Sequence, residues 1–176
     1  MSNEIETLIT IVVLLIFLGV CFTPFVLFFI YVFYQNSKRK RIRQRIVAAH
    51  QQLIGNHRWF PVRYASAPRF KSWFKVFPWE GAGILVIAAN SVHFLGETFA
   101  GANMNLQFNP GNSRINWLGK CPWPNGAVSW FAFEGPNEKH YFSSETGPFV
   151  FGSNNSTKEI YEEGNKSFAG AQLQSY

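Results

Sequence analysis

Residues 83–96 read GILVIAANSVHFLG. Two apolar runs flank Asn90–Ser91, residue types that favour tight turns. The stretch therefore predicts an antiparallel hairpin, with strands over Gly83–Ala89 and Val92–Phe99. The first run (GILVIAA) is apolar at every position rather than at alternate ones. Side chains on a strand alternate between its two faces, so this strand has to be covered on both. A C-terminal helix, the segment before the domain, or another subunit could supply the second cover.

On either side of this hairpin the same texture continues. Short apolar runs at Trp59–Ala65, Phe70–Phe77, Leu106–Phe108, Arg114–Leu118, Ala127–Phe133, Lys139–Ser143 and Phe149–Gly152 are separated by turn clusters. Those clusters include Ala65-Ser66-Ala67-Pro68, Asn109-Pro110-Gly111-Asn112, Gly135-Pro136-Asn137 and Gly147-Pro148. Such close spacing predicts antiparallel hairpins, hence a sandwich or a partly open barrel. Ser156-Thr157-Lys158-Glu159 fits a capping box, and Gly164 reads as a stop, so one short C-terminal helix is expected. Residues 165–176 read as a flexible tail. From residue 57 on there are about 120 residues, enough for one core but hardly for two.

Three of these stretches, GILVIAANSVHFLG, AVSWFAFEGPNEKHYFSS (127–144) and STKEIYEE (156–163), resemble the pleckstrin-homology (PH) superfold, including its GRAM-like variants found behind membrane anchors. The resemblance covers residues 57–164 and rests on strand order and texture. It implies a PH-like β-domain. In that family the face near the first hairpin often binds phosphoinositides or other ligands, and many members bind only proteins.

Ahead of this domain, Leu8–Tyr34 (LITIVVLLIFLGVCFTPFVLFFIYVFY) carries no charge. As a helix, it would reach about 40 Å, against a hydrocarbon core of about 30 Å. The acidic start MSNEIET, the long apolar run and its large aromatics argue against a cleaved signal peptide. A single transmembrane helix is expected, kinked near Pro24 and with Tyr31 and Tyr34 at an interface. Immediately after it come Lys38, Arg39, Lys40, Arg41, Arg43 and Arg45. Cations flanking a span stay cytoplasmic, so the expected topology is N-terminus outside and C-terminal domain inside. These six residues are read first as a topology anchor and secondly as a contact for anionic headgroups. The expected organisation is thus an extracytoplasmic N-terminus (1–7), a transmembrane helix (8–34), a basic amphipathic stalk (35–56), a PH-like β-domain (57–164) and the tail (165–176).

Of the net charge of +6, residues 1–45 hold +4, leaving ten basic and eight acidic residues in the remainder. That near-balance argues against a nucleic-acid domain. In the stalk, Ile42, Ile46, Ala49 and Leu53 form a helical stripe, which either lies along the membrane surface or packs on the following domain. The second is the expected outcome. In the first hairpin, Arg69, Lys71, Trp73 and Lys75 alternate with Phe70, Ser72, Phe74 and Val76. Period two would put Arg63, Arg69, Lys71 and Lys75 on one outer face, suited to an anionic lipid headgroup, with Trp73 exposed beside them.

Catalysis is not expected. The chain contains no Asp, and His50, His57, His93 and His140 lack metal-ligand spacing. No cofactor or metal is implied. Cys21 falls in the span and Cys121 in KCPWPNG, so no disulfide is expected. Lys120 is the neighbour that would favour a thiolate at Cys121, although a quiet structural thiol is the plainer reading. The sequons at Asn154, Asn155 and Asn165 would matter only for an outward-facing domain. Of 31 Phe, Trp and Tyr, 23 lie beyond the span, so some of Trp79, Trp117, Trp123 and Trp130 are expected at the surface. Trp123 and Trp73 are the candidate interface residues. The function expected is that of a membrane-anchored binding or scaffolding module, an accessory subunit or adaptor of a membrane protein complex. The alternative is a tethered reader of anionic lipid.

Overall fold

The computed structural model describes residues 2–55, 57–73, 75, 77–147 and 153–173. It divides into two compact units, Met1–Lys38 and Arg39–Tyr176. Helix α1 (Ser2–Ala49) continues past Pro24 and past that division. In the first unit it is a single helix with most of its apolar side chains exposed, and it is long and apolar enough to cross a membrane, with a mean hydropathy of 2.9 in its best window.

The second unit begins within the helix rather than after it. Residues 39–49 of α1 and the one-turn α2 (Gln51–Ile54) belong to the β-domain. The chain then leaves the helix at Gly55, whose φ of +42° suits a residue without a Cβ. Seven strands follow: β1 (Arg58–Ser66), β2 (Gly81–Ile87), β3 (Val92–Thr98), β4 (Asn103–Phe108), β5 (Arg114–Lys120), β6 (Ser129–Glu134) and β7 (Lys139–Ser144). They form one antiparallel open sheet in the order β4-β3-β2-β1-β7-β6-β5. Helix α4 (Ser153–Leu173) closes the domain.

The sheet curls strongly. Phe108 on β4 stacks on Phe133 of β6 at 4.2 Å, although four other strands separate β4 from β6 in the ladder. Inside the curl, Val62, Tyr64, Leu85, Phe94, Phe131, Phe133 and Phe142 meet Ile160 and Phe168 of α4. Two glycines make room for this aromatic core. Gly83 and Gly96 are cross-strand partners, and the Phe94 ring lies over both. A Cβ on Gly96 would come within 2.7 Å of Phe94 Cε1, and one on Gly83 within 2.8 Å of its Cε2.

The outer face is covered twice, by different segments. Ile46, Val47 and Ile54 pack on Ile84, Val86 and Leu95, so the stalk is the second cover that GILVIAA requires. The expected stripe is shifted at its end: Ile42 is buried, but Ala49 and Leu53 are exposed, and Ile54 takes the contact instead. The β1–β2 connection covers the rest, with Phe70, Phe77 and Trp79 against Val128, Trp130 and Tyr141.

That connection corrects one expected strand. Phe70–Phe77 does not form a strand among its described residues. Ser66 accepts from the Arg69 N–H and Pro68 sits in the first turn, so the chain enters a short helix, α3 (Ala67–Lys71). Phe70 then stacks flat on Tyr141 at 3.9 Å. The expected strand Phe149–Gly152 lies outside the described residues. The C-terminal helix is present but starts at Ser153 and runs through Gly164 to Leu173, into the expected tail. Gly164 does not stop it; the residue is buried within the helix, close against the sheet. A Cβ there would lie 3.0 Å from Ile115 Cδ1. Trp79 and Trp130 are interior rather than exposed, while Trp117 is part exposed.

Gly96→Ala is expected to displace the Phe94 ring and destabilise the domain by about 1–3 kcal/mol through overpacking. Thermal or denaturant unfolding of the variant measures this. An unchanged midpoint would mean that the ring can move at no cost.

Candidate functional site

β1 places Val62 and Tyr64 inward, so Arg63 points to the opposite face, as its parity predicts. That face is not open there. Arg63 is 0% exposed, with its guanidinium over the Trp79 ring at 4.4 Å and Nη2 donating to the Gly147 carbonyl at 3.2 Å. Burial pulls its pKa down to about 10; Glu145 opposes that shift, and Arg39 and Arg43 add to it. It stays charged at neutral pH.

The expected headgroup face is therefore not assembled. Arg69 lies on α3 and donates to the Phe77 carbonyl at 2.8 Å, which ties the connection together. Lys75 donates to the Arg69 and Phe70 carbonyls and to Asn125 Oδ1, and burial lowers its pKa. Of the four cations, Lys71 is exposed. Trp73 is 74% exposed beside it. The side chain of Trp123 lies outside the described residues; its backbone forms a 3₁₀ turn, Trp123–Asn125.

The basic run is divided as well. Lys40, Arg41 and Arg45 are exposed, and Arg45 pairs with Glu97 at 2.9 Å. Arg39 is 2% exposed, its Nε donating to Glu145 Oε1 at 2.6 Å, and Arg43 donates to Glu145 Oε2. One buried carboxylate thus bridges two arginines one helical turn apart. Its position is set by the sheet, since the Glu145 N–H donates to the Pro61 carbonyl and extends the β1–β7 ladder by one step. Arg39, Arg43, Arg63, Glu145 and Trp79 form a charged junction where stalk, β1, β7 and the β1–β2 connection meet.

Hydrophobicity alone hid this junction, but helical spacing carried a signal. Arg39 and Arg43 lie three residues before and one after Ile42, and Ile46 follows at one further turn. All four share one face of the helix. Glu145 had no comparable signal, because its partners lie more than 100 residues away.

Two other arrangements complete the picture. A groove of about 810 Å³ runs along the β5 side between the Pro110–Asn112 turn and Asn165 and Phe168 of α4. Near it, Tyr64 Oη, His140 Nδ1 and His140 Nε2, Glu138 Oε2 form a hydrogen-bonded chain with both separations 3.1 Å. Burial raises the Tyr64 pKa. At Cys121 the cationic neighbour is Lys75 rather than the expected Lys120, and burial outweighs it, raising the thiol pKa. Among the described residues no cluster of three His, Cys, Asp or Glu could hold a metal ion. No family model, curated protein or solved structure matches the chain.

Glu145→Gln should cost about 3–5 kcal/mol, because it leaves two guanidiniums without their countercharge. Hydrogen exchange should accelerate across residues 39–54, where the stalk is held. Arg43→Gln should cost less than Arg39→Gln, since the Arg43 side chain is 20% exposed. Equal protection of residues 39–54 in wild type and Glu145→Gln would show that apolar packing alone holds the stalk.

Proposed function

We propose that the chain is a single-pass membrane protein whose PH-like β-domain faces the cytoplasm and serves as a binding or scaffolding module, an accessory subunit or adaptor of a membrane complex. The observation that carries this reading is Trp73. It stands 74% exposed at the β1–β2 connection, whereas Trp79 and Trp130 are buried in an aromatic cluster on the same face of the sheet. A large aromatic left in water at a built surface suits a protein interface. Leu53, Trp59, Trp117 and Leu118 are further part-exposed apolar side chains of the same unit.

The serial antiparallel strands and closing α4 support the PH-like description, though a fold by itself assigns no activity. The apolar length of α1 supports a span, and the cations that follow it support a cytoplasmic domain. The headgroup alternative loses its four-cation face, since Arg63 is interior and Arg69 and Lys75 hold the connection together.

The deciding measurement is the mass of the full-length tagged protein extracted gently from its native membrane. A stoichiometric assembly that Trp73→Ser disperses supports the adaptor reading, and a lone monomer or homo-oligomer removes it. Orientation has its own test in microsomes. Asn155 and Asn165 are exposed sequons on α4 and should stay unmodified, while an acceptor tag added at the N-terminus is glycosylated. Glycans on the α4 sequons would reverse the topology.

A further inference from the structure

β4 is an open edge of the sheet, since it pairs with β3 alone. Which of its backbone groups face outward follows from the turn before it. The Thr98 N–H donates to the Ala102 carbonyl at 2.9 Å, and these two residues continue the β3–β4 register by one step. Hydrogen-bonded and non-bonded pairs alternate along an antiparallel ladder. Gly96 with Met104 and Phe94 with Leu106 are therefore bonded pairs, so Asn103, Asn105 and Gln107 turn their N–H and C=O groups away from β3. No other strand takes them among the described residues.

Edges left in this state are normally protected by charge, proline, bulges or cover. The opposite edge, β5, carries Arg114 and Lys120, shifts register between Trp117 and Gly119, and has α4 packed beside it. β4 has none of these devices. From Phe99 to Ser113 the sequence FAGANMNLQFNPGNS contains no charged residue, and the strand itself (NMNLQF) has no Pro and no register break. Its two faces are also segregated. The side chains of Asn103, Asn105 and Gln107 are exposed, whereas Met104 and Leu106 are part-buried against the inner core.

We propose that β4 pairs antiparallel with β4 of a second copy of this chain, about a two-fold axis through Asn105. That register sets Asn105 opposite its own counterpart, Asn103 opposite Gln107 and Met104 opposite Leu106. It keeps amide against amide on the outer face and apolar against apolar on the inner one, as a self-complementary surface requires. It also matches every outward-facing residue of the strand, with two backbone bonds at each of the three pairs. Sliding by two residues loses one of those pairs, and sliding by one sets polar side chains against Met104 and Leu106. A neutral edge is what a second copy needs, because a charge at the axis would face its own like. Contact through one strand pair is small for a dimer in free solution, but chains confined to one bilayer meet at a high effective concentration. That confinement rests on the span proposed above; the edge itself does not, and it includes no part of the Trp73 connection.

The test is oxidative cross-linking of the full-length protein in liposomes, with Cys21→Ser and Cys121→Ser removing the native thiols. The two Asn105 positions would lie about 5.5 Å apart between Cα atoms, within the disulfide range of about 4.4–6.8 Å. Asn105→Cys should therefore give a disulfide-linked dimer. Asn103→Cys or Gln107→Cys alone would be offset by about 14 Å along the strands and should cross-link at least tenfold more slowly. A mixture of those two variants should link rapidly, one to the other. Adding Asn105→Lys to both members of the mixture sets like charges against each other at the axis and should abolish that link. The fold should persist, since Asn105 is exposed and its backbone groups are turned away from β3. No dimer from Asn105→Cys, which would leave the edge to another chain or to none, would overturn the proposal. Equal rates at the three single positions, or a mixed cross-link that survives Asn105→Lys, would overturn it too. Trp73→Ser should leave all these rates unchanged. A homodimer found without any other component would remove the adaptor reading and leave this one standing.

Discussion

A sheet whose central strands are apolar on both faces cannot be stable with only one side covered, and this constraint organises the second unit. β2 needs cover for Leu85 on one side and for Ile84 and Val86 on the other. The inner demand is met by curling the sheet until β4 touches β6 and by closing it with α4. The outer demand is met by two segments with different chemistry. The stalk supplies aliphatic side chains over β2 and β3, and the β1–β2 connection supplies aromatics over β6 and β7. Arg63 lies on that same outer face and is sealed in.

Covering a sheet with a charged helix carries an electrostatic cost that apolar packing does not. Desolvating Arg39 and Arg63 is unfavourable unless charge and hydrogen bonds are returned inside. Glu145 returns part of this, as a carboxylate fixed by the ladder through its own N–H. Trp79 returns another part through its ring face, which attracts guanidinium more strongly when water is excluded. Buried ion pairs often add little net stability, but they can select one arrangement among several apolar ones. Here the selection is of register: a slide of the stalk by one residue would carry Arg39 and Arg43 off the carboxylate while leaving much of its aliphatic contact available.

How much of this was readable beforehand follows from which interactions are local. The strands β1, β2, β3, β6 and β7 were legible because turn residues and apolar runs lie within a few positions of each other. The cover over GILVIAA was legible as a requirement, and the stalk as one candidate for it. The β1–β2 connection was misread because RFKSWFKV alternates like a strand, while the decisive Ser66 and Pro68 precede it and act through backbone capping. Gly164 was misread for the opposite reason. Its local preference is to end a helix, but it is kept within α4 by closeness to Ile115, a contact between distant parts of the chain. The four-cation face failed because alternation reports which side a residue points to and not what lies on that side.

The same limit explains why the basic run misled as a unit. Read as composition, KRKRIRQR is a block of charge with one role. Folded as a helix, it distributes its residues around an axis, and only those on the Ile42 face meet the sheet. Arg39 and Arg43 therefore behave as core residues with charged tips, their stems packed and their heads on Glu145, whereas Lys40 and Arg41 remain in solvent. A cation on a solvent-facing helix position is ordinarily free to keep its charged head in water. Arg39 and Arg43 are instead committed to the β-domain through Glu145. A single short helical segment thus holds both solvent-facing cations and charged core residues, and a substitution acts differently according to the face it falls on.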